Sequence, residues 1–224
     1  MRDIVRYPST EQFRHAIAEV RRKAVFVKLD KNGAAVVDKT RPIPTLKFRG
    51  TTKVHGTNAA LSIKDGELLF QSRERVLSLE ADNAGFMRAM VDNMDKVTLL
   101  LSNVRNRANI ERQQCLTIYG EWCGRGVQSG VAVSELEKRL MIFAIKVDDN
   151  WLDIADFELT IPDSPFYSIL DAGSWEVDIN FANPALIQNH LIDLTNAVEA
   201  ECPVSVKVSS GSAWTLSIAA SSSR

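Results

Sequence analysis

The sequence predicts an α+β fold, and three observations carry the prediction. Asp65-Gly66 between two apolar runs marks a β-hairpin over 59–72. The apolar run Arg139–Val147 reads as a buried strand. Residues 9–23 and 82–105 carry apolar side chains at threes and fours, the spacing of amphipathic helices.

A chain of 224 residues has room for one large domain or two small ones, and 45% hydrophobic with 25% charged content is ordinary for a soluble globular protein. It holds no apolar run of about 18 residues, so it predicts no membrane span, and Met-Arg-Asp-Ile-Val-Arg lacks the apolar centre of a signal peptide. Three cysteines, Cys115, Cys123 and Cys202, are too few and scattered for a disulfide framework or a zinc site, which points to a reducing cytoplasm. Net charge is −1 but uneven: residues 1–53 hold 13 Lys/Arg against 5 Asp/Glu. A basic front end suits phosphate-bearing ligands, and equally a solvated helix face.

In chain order, Ser9 and Gln12 make a capping-box signature for the first helix, with Phe13, Ala16, Ile17 and Val20 on one face. Ala24–Lys28 and Ala34–Val37 read as short strands around Asp30-Lys31-Asn32-Gly33, and Arg41-Pro42-Ile43-Pro44 as an extended connector. Next comes Lys47-Phe48-Arg49-Gly50-Thr51-Thr52-Lys53-Val54-His55-Gly56-Thr57-Asn58, with Lys53 at the end of a strand and Gly56 at a tight bend where backbone can approach a ligand. Lys53 is a candidate nucleophile. An amine attacks only when unprotonated, so burial or cationic neighbours have to activate it.

The hairpin 59–72 follows, then Gln71-Ser72-Arg73-Glu74-Arg75, then the second helix, 82–105, with Phe86, Met90, Met94, Val97, Leu101 and Val104 as its core stripe. Cys115–Tyr119 is an apolar strand that runs into Gly120-Glu121 and a Gly-rich turn, Gly124-Arg125-Gly126-Val127-Gln128, an arrangement that sets one carboxylate at the lip of a cleft. The segment 151–180 reads as short strands and loops. Asn183-Pro184 opens a third helix through Ile187, Leu191, Leu194 and Val198.

Lys53-Val54-His55-Gly56-Thr57-Asn58 resembles the nucleophile motif of the RNA ligase 2-like branch of the covalent nucleotidyltransferases, including the His and Thr-Asn that DNA ligases and capping enzymes usually lack. Gly120-Glu121 with Gly124-x-Gly126-Val127-Gln128 resembles that family's next motif, in the right order. The resemblance implies a nucleotidyltransferase (ATP-grasp-like ligase) fold, two antiparallel sheets flanked by helices with a nucleotide cleft between them. It implies that Lys53 attacks the α-phosphate of ATP and carries AMP, with His55 assisting and Asn58 serving the nucleic-acid steps. Thr52, Gly56, Arg73, Glu121 and Phe143 are implied nucleotide contacts: Arg73 at a phosphate or the nucleic-acid end, Glu121 at the ribose or a metal, and Phe143 stacked on adenine. Mg²⁺ suits a carboxylate beside phosphates. From the residues alone, Arg73 is equally a solvated strand-end arginine and Phe143 equally a core side chain.

The resemblance stops near residue 200. The family continues with a Glu-Gly and a Lys-x-Lys motif, whereas this chain reads Glu199-Ala200-Glu201-Cys202-Pro203, and Lys207 is its one lysine after Lys146. The expected organisation is a nucleotidyltransferase domain over 1–208 and a Ser/Ala-rich, weakly ordered tail over 209–224. The expected function is ATP-dependent joining of RNA, at a nick in a duplex or at broken ends, by a monomer. The alternative is a non-catalytic nucleotide- or RNA-binding remnant of such an enzyme; a capping guanylyltransferase or DNA ligase is disfavoured by His55-Gly56-Thr57-Asn58.

Overall fold

The computed structural model describes residues 3–9, 12–201 and 216–220. Its elements run α1 (Phe13–Val25), β1 (Phe26–Leu29), β2 (Ala35–Val37), β3 (Thr45–Thr52), β4 (Thr57–Lys64), β5 (Glu67–Ser72), α2 (Phe86–Asp92), α3 (Met94–Arg107), β6 (Leu116–Cys123), β7 (Arg139–Val147), β8 (Asn150–Leu152), β9 (Phe166–Ser168), β10 (Ser174–Asn180), α4 (Ile187–Glu201) and β11 (Leu216–Ala220). This is the expected α+β class, with two principal antiparallel sheets and flanking helices. Among the described residues no helix is long and apolar enough to cross a membrane.

The larger sheet follows the order β5-β4-β6-β7-β8, with β9 added parallel to β7. Its hairpin turns on Asp65 and Gly66, both at positive φ (53° and 86°), which matches a two-residue turn that follows the twist of its strands. One face of β4 and β6 carries Ala59, Leu61, Leu116, Ile118 and Trp122, all fully buried, against Phe86, Met90, Val97 and Val104 of α2 and α3. The opposite face carries Asn58, Ala60, Tyr119 and Glu121, because strand side chains alternate.

The smaller sheet has the order β10-β3-β11, all antiparallel. Its buried centre is Phe48, Val177, Ile179 and Phe181, covered by Phe13, Ile17 and Val20 of α1 and Ile187, Leu191 and Leu194 of α4. β1 and β2 form a separate two-stranded hairpin.

Several local expectations are corrected. The first helix starts at Phe13, with Gln12 at its N-cap and no side-chain cap bond, so the Ser9/Gln12 capping box is not what starts it. The helix expected over 82–105 is two helices broken at Asn93, whose ψ of 35° leaves the helical range. That break puts Met94 at the start of a new helix and leaves it 38% exposed instead of in the core. The strand ahead of the Gly-rich turn continues through Glu121 to Cys123, because Thr57 and Asn58 of β4 go on pairing with Trp122 and Glu121. Within the Ser/Ala-rich tail, Leu216–Ala220 pairs with β3, and its Leu-Ser-Ile-Ala alternation is strand-like. Lys207 lies outside the described residues.

Candidate active site

The stretch 53–56 joins the two sheets: β3 ends at Thr52, and β4 begins at Thr57. Thr52 is buried, and its hydroxyl donates to the Ala172 carbonyl at 2.7 Å, which ties the end of β3 to the turn before β10. The Thr52 side chain is thus committed to holding Lys53 in place. Lys53 itself is exposed, so burial does not supply the activation a nucleophilic amine requires. His55 is half-buried.

Gly56 is required by packing. A Cβ built there would collide with the Trp122 carbonyl, 2.9 Å from its carbon and nearer still to its oxygen, closer than side chains come to backbone. The same residue links the two motifs: Gln128 Nε2 donates to the Gly56 carbonyl at 3.0 Å, so the Gly-rich turn folds back onto the lysine loop.

Glu121 stands beside this loop, directly across the ladder from Asn58. Burial pushes its carboxyl up from the ordinary value, while the Gly56 amide, by hydrogen bonding, and the Lys53 charge pull it back down. The Glu121 carboxylate therefore feels the Lys53 charge across the loop. Neighbouring groups hold the rim: Asn83 Nδ2 donates to Thr57 Oγ1 at 3.2 Å, and Trp122 Nε1 and Lys138 Nζ both donate to the Ala84 carbonyl, at 3.1 and 2.8 Å.

Arg73 follows the end of β5, at the same end of the sheet as Asn58 and Glu121. It is exposed, and its Nε lies 3.8 Å from the Glu74 carboxylate, a solvated pair that leaves the guanidinium accessible. Phe143 has a different setting. The β6–β7 register jumps from Tyr119↔Ala144 to Gly120↔Ile142, so Phe143 is the extra residue of a β-bulge, a device that re-aims a side chain. It is half-buried, packed beside Ala144 and Tyr7 on the Tyr119 face and also against the main core.

The geometry thus brings Lys53, Gly56, Asn58 and Glu121 together, sets Arg73 at the same sheet end, and sets Phe143 on the same sheet face. Among the described residues no three His, Cys, Asp or Glu converge on one point. A divalent cation here would take Glu121 as its protein ligand and share its remaining positions with phosphate and water, the usual habit of Mg²⁺.

Two contributions escaped the sequence reading. Gln128 was legible as the end of the Gly-rich motif, but its bond was not, because its target is a backbone carbonyl 72 residues away. Tyr7, which touches Phe143, sits in Val5-Arg6-Tyr7, whose apolar-charged-apolar alternation was its one available signal.

Three solved structures of Naegleria gruberi RNA ligase variants are similar to this chain. One with ATP and Mn has a TM-score of 0.47 at 16% identity, an apo form 0.47 at 17%, and one with AMP and Mn 0.46 at 17%. Each covers 80% of this chain, which spans less than half of theirs, 46%, 46% and 44%. No curated protein sequence matches the chain. The family model for RNA ligase matches residues 46–186, a span that begins within β3 and takes in Lys53, Glu121 and Phe143, and the chain belongs to the RNA ligase family.

Proposed function

We propose that this protein is an ATP-dependent RNA ligase that joins RNA ends through a lysyl-AMP intermediate on Lys53. The observation that carries the reading is the junction itself: the lysine loop is closed onto Glu121 by Gly56, with Asn58 opposite the same carboxylate. A nucleophile, an acidic partner and a close-approach glycine at the junction of two sheets suit a reaction at a phosphate.

In the first step the unprotonated Lys53 Nζ attacks the α-phosphorus of ATP; a P–N bond forms, the bond to the bridging oxygen breaks, and pyrophosphate leaves. In the second, an RNA 5′-phosphate oxygen attacks the adenylyl phosphorus and releases the lysine. In the third, an RNA 3′-hydroxyl attacks the activated 5′-phosphate and AMP departs. Glu121 holds the ribose or the cation, Arg73 a phosphate, Phe143 the base, and His55 and Asn58 serve the RNA steps. A hard divalent cation held at Glu121 would supply charge neutralisation at the phosphates.

Intact-protein mass after incubation with ATP and Mg²⁺ tests this. The expected result is a gain of one AMP that added pyrophosphate removes and that Lys53→Ala abolishes. An adduct that survives in Lys53→Ala would sink the assignment. ATP binding without any adduct would favour a non-catalytic binding module, and an adduct formed from GTP in preference to ATP would favour a capping enzyme.

A further inference from the structure

We infer that Tyr7 is a positioning residue for the nucleotide base, and that the N-terminal strap 3–9 is built into the nucleotide site through it. The inference rests on the reading that Phe143 receives the base.

The strap is bound as a structural member of the sheet. Gln71, only 1% exposed, spends its whole side-chain amide on Val5: its Oε1 accepts from the Val5 amide at 3.0 Å, and its Nε2 donates to the Val5 carbonyl at 2.8 Å. A buried glutamine without those two bonds would be left unsatisfied, so sheet and strap depend on each other. Arg6 pairs outward with Glu74 at 3.3 Å, and the alternation turns Val5 and Tyr7 inward onto Ala60, Tyr119 and Ala144.

There the Tyr7 ring meets three others edge-on. Its centroid lies 5.3 Å from Tyr119, 5.1 Å from Phe143 and 5.5 Å from Trp151, with interplanar angles of 63°, 80° and 75°. Among the described residues, the ring contact on Phe143 comes from Tyr7. Phe143 needs such support because it is the bulge residue, displaced from the regular ladder that orients its neighbours. An edge-to-face partner fixes a ring plane, and a purine stacks well only on a plane that is already fixed. Affinity for the base, but not for the phosphates, therefore depends on Tyr7.

The test measures equilibrium binding of ATP and of inorganic tripolyphosphate to the full chain, its Tyr7→Leu and Tyr7→Phe variants, and Phe143→Leu. Tyr7→Leu should weaken ATP about three- to tenfold, the range one edge-to-face contact is worth, and leave tripolyphosphate unchanged. Tyr7→Phe should restore ATP binding. Loss of ATP affinity in Phe143→Leu but not in Tyr7→Leu overturns the inference and spares the base reading. Unchanged ATP binding in Phe143→Leu overturns the base reading and the inference with it. Equal weakening of both ligands by Tyr7→Leu marks a general structural role and overturns the inference. Should Tyr7→Leu fail to fold, hydrogen exchange in the unaltered chain decides: ATP, but not tripolyphosphate, should protect the Val5–Tyr7 amides, and equal protection by both overturns the proposal. A chain that binds neither ligand overturns the nucleotide reading and this inference together.

Discussion

The two principal sheets divide the site unequally. The larger sheet presents Asn58 and Glu121 from central strands whose other face is sealed by α2 and α3, with Trp122, Phe86 and Met90 fully buried beneath them. The smaller sheet carries Lys53 from the end of β3, over a buried centre of Phe48, Val177, Ile179 and Phe181 and half-buried helix side chains. The proposed nucleophile therefore belongs to the lighter part and the residues proposed to act with it to the heavier. Because a displacement of about 1 Å can cost a reaction 100-fold, the few bonds between the parts matter more than their areas suggest. Among the described residues those bonds include the Gly56 contact with Trp122 and Glu121, Thr52 to Ala172, and Arg49 to Asp153.

The largest effect comes from breaking the first of these. In Gly56→Ala the new methyl meets the Trp122 carbonyl, a backbone atom of a paired central strand that has nowhere to go. Loss of roughly 3 kcal/mol of stability is expected, the upper end of the range for overpacking, together with loss of lysine adenylylation. Urea unfolding and intact-protein mass measure the two. Wild-type stability in this variant would mean that the loop moves independently of β6 and that the two sheets are not joined there.

What the sequence made legible follows the same division. The hairpin at Asp65-Gly66, the β7 run and the Phe86–Val104 stripe were readable because local periodicity and turn chemistry dictate them. Lys53 and Glu121 could be named as candidates because a resemblance carried by contiguous motifs needs no knowledge of the fold, and the structure sets both at the same loop. The break at Asn93 was not readable, since the apolar spacing runs across it without interruption. Nor was the support of Phe143: a bulge is a mismatch between two strands, and neither strand's sequence records it alone.

At Glu121 the proposed function and stability pull in opposite directions. Its carboxyl is raised by burial beyond what the Gly56 amide and Lys53 recover, so ionising it costs the folded state something. A raised folded value means that this residue favours the fold below the ordinary carboxylate range and opposes it as pH rises above that range. Glu121→Gln should then match wild type in acid and exceed it in stability at neutral pH, by urea unfolding at both. Its adenylylation rate should fall by about 10²–10³, the usual cost of removing one preorganised electrostatic group. A variant less stable than wild type at neutral pH would show that the Gly56 and Lys53 interactions outweigh burial.

The smallest effect lies at the third of these bonds between the parts. Arg49, on β3 four residues before Lys53, reaches Asp153 at 2.5 Å, and Asp153 also accepts from the Ala155 amide at 3.0 Å. Burial raises the Asp153 carboxyl, but Arg49 and the amide outweigh it and the net direction is down. A depressed carboxyl contributes stability above its unfolded value of about 3.9, and that contribution is lost as pH falls through the folded value. Asp153→Asn keeps an oxygen for the Ala155 amide and removes only the charge. With the Asp153 side chain 40% exposed, solvent screening limits the expected loss at pH 7 to under about 1 kcal/mol, shrinking toward zero in acid. If the variant also slows adenylylation while leaving ATP affinity intact, the Arg49–Asp153 pair sets the spacing of Lys53 from the larger sheet. If the rate is unchanged, that spacing is carried by the Gly56 and Thr52 contacts alone.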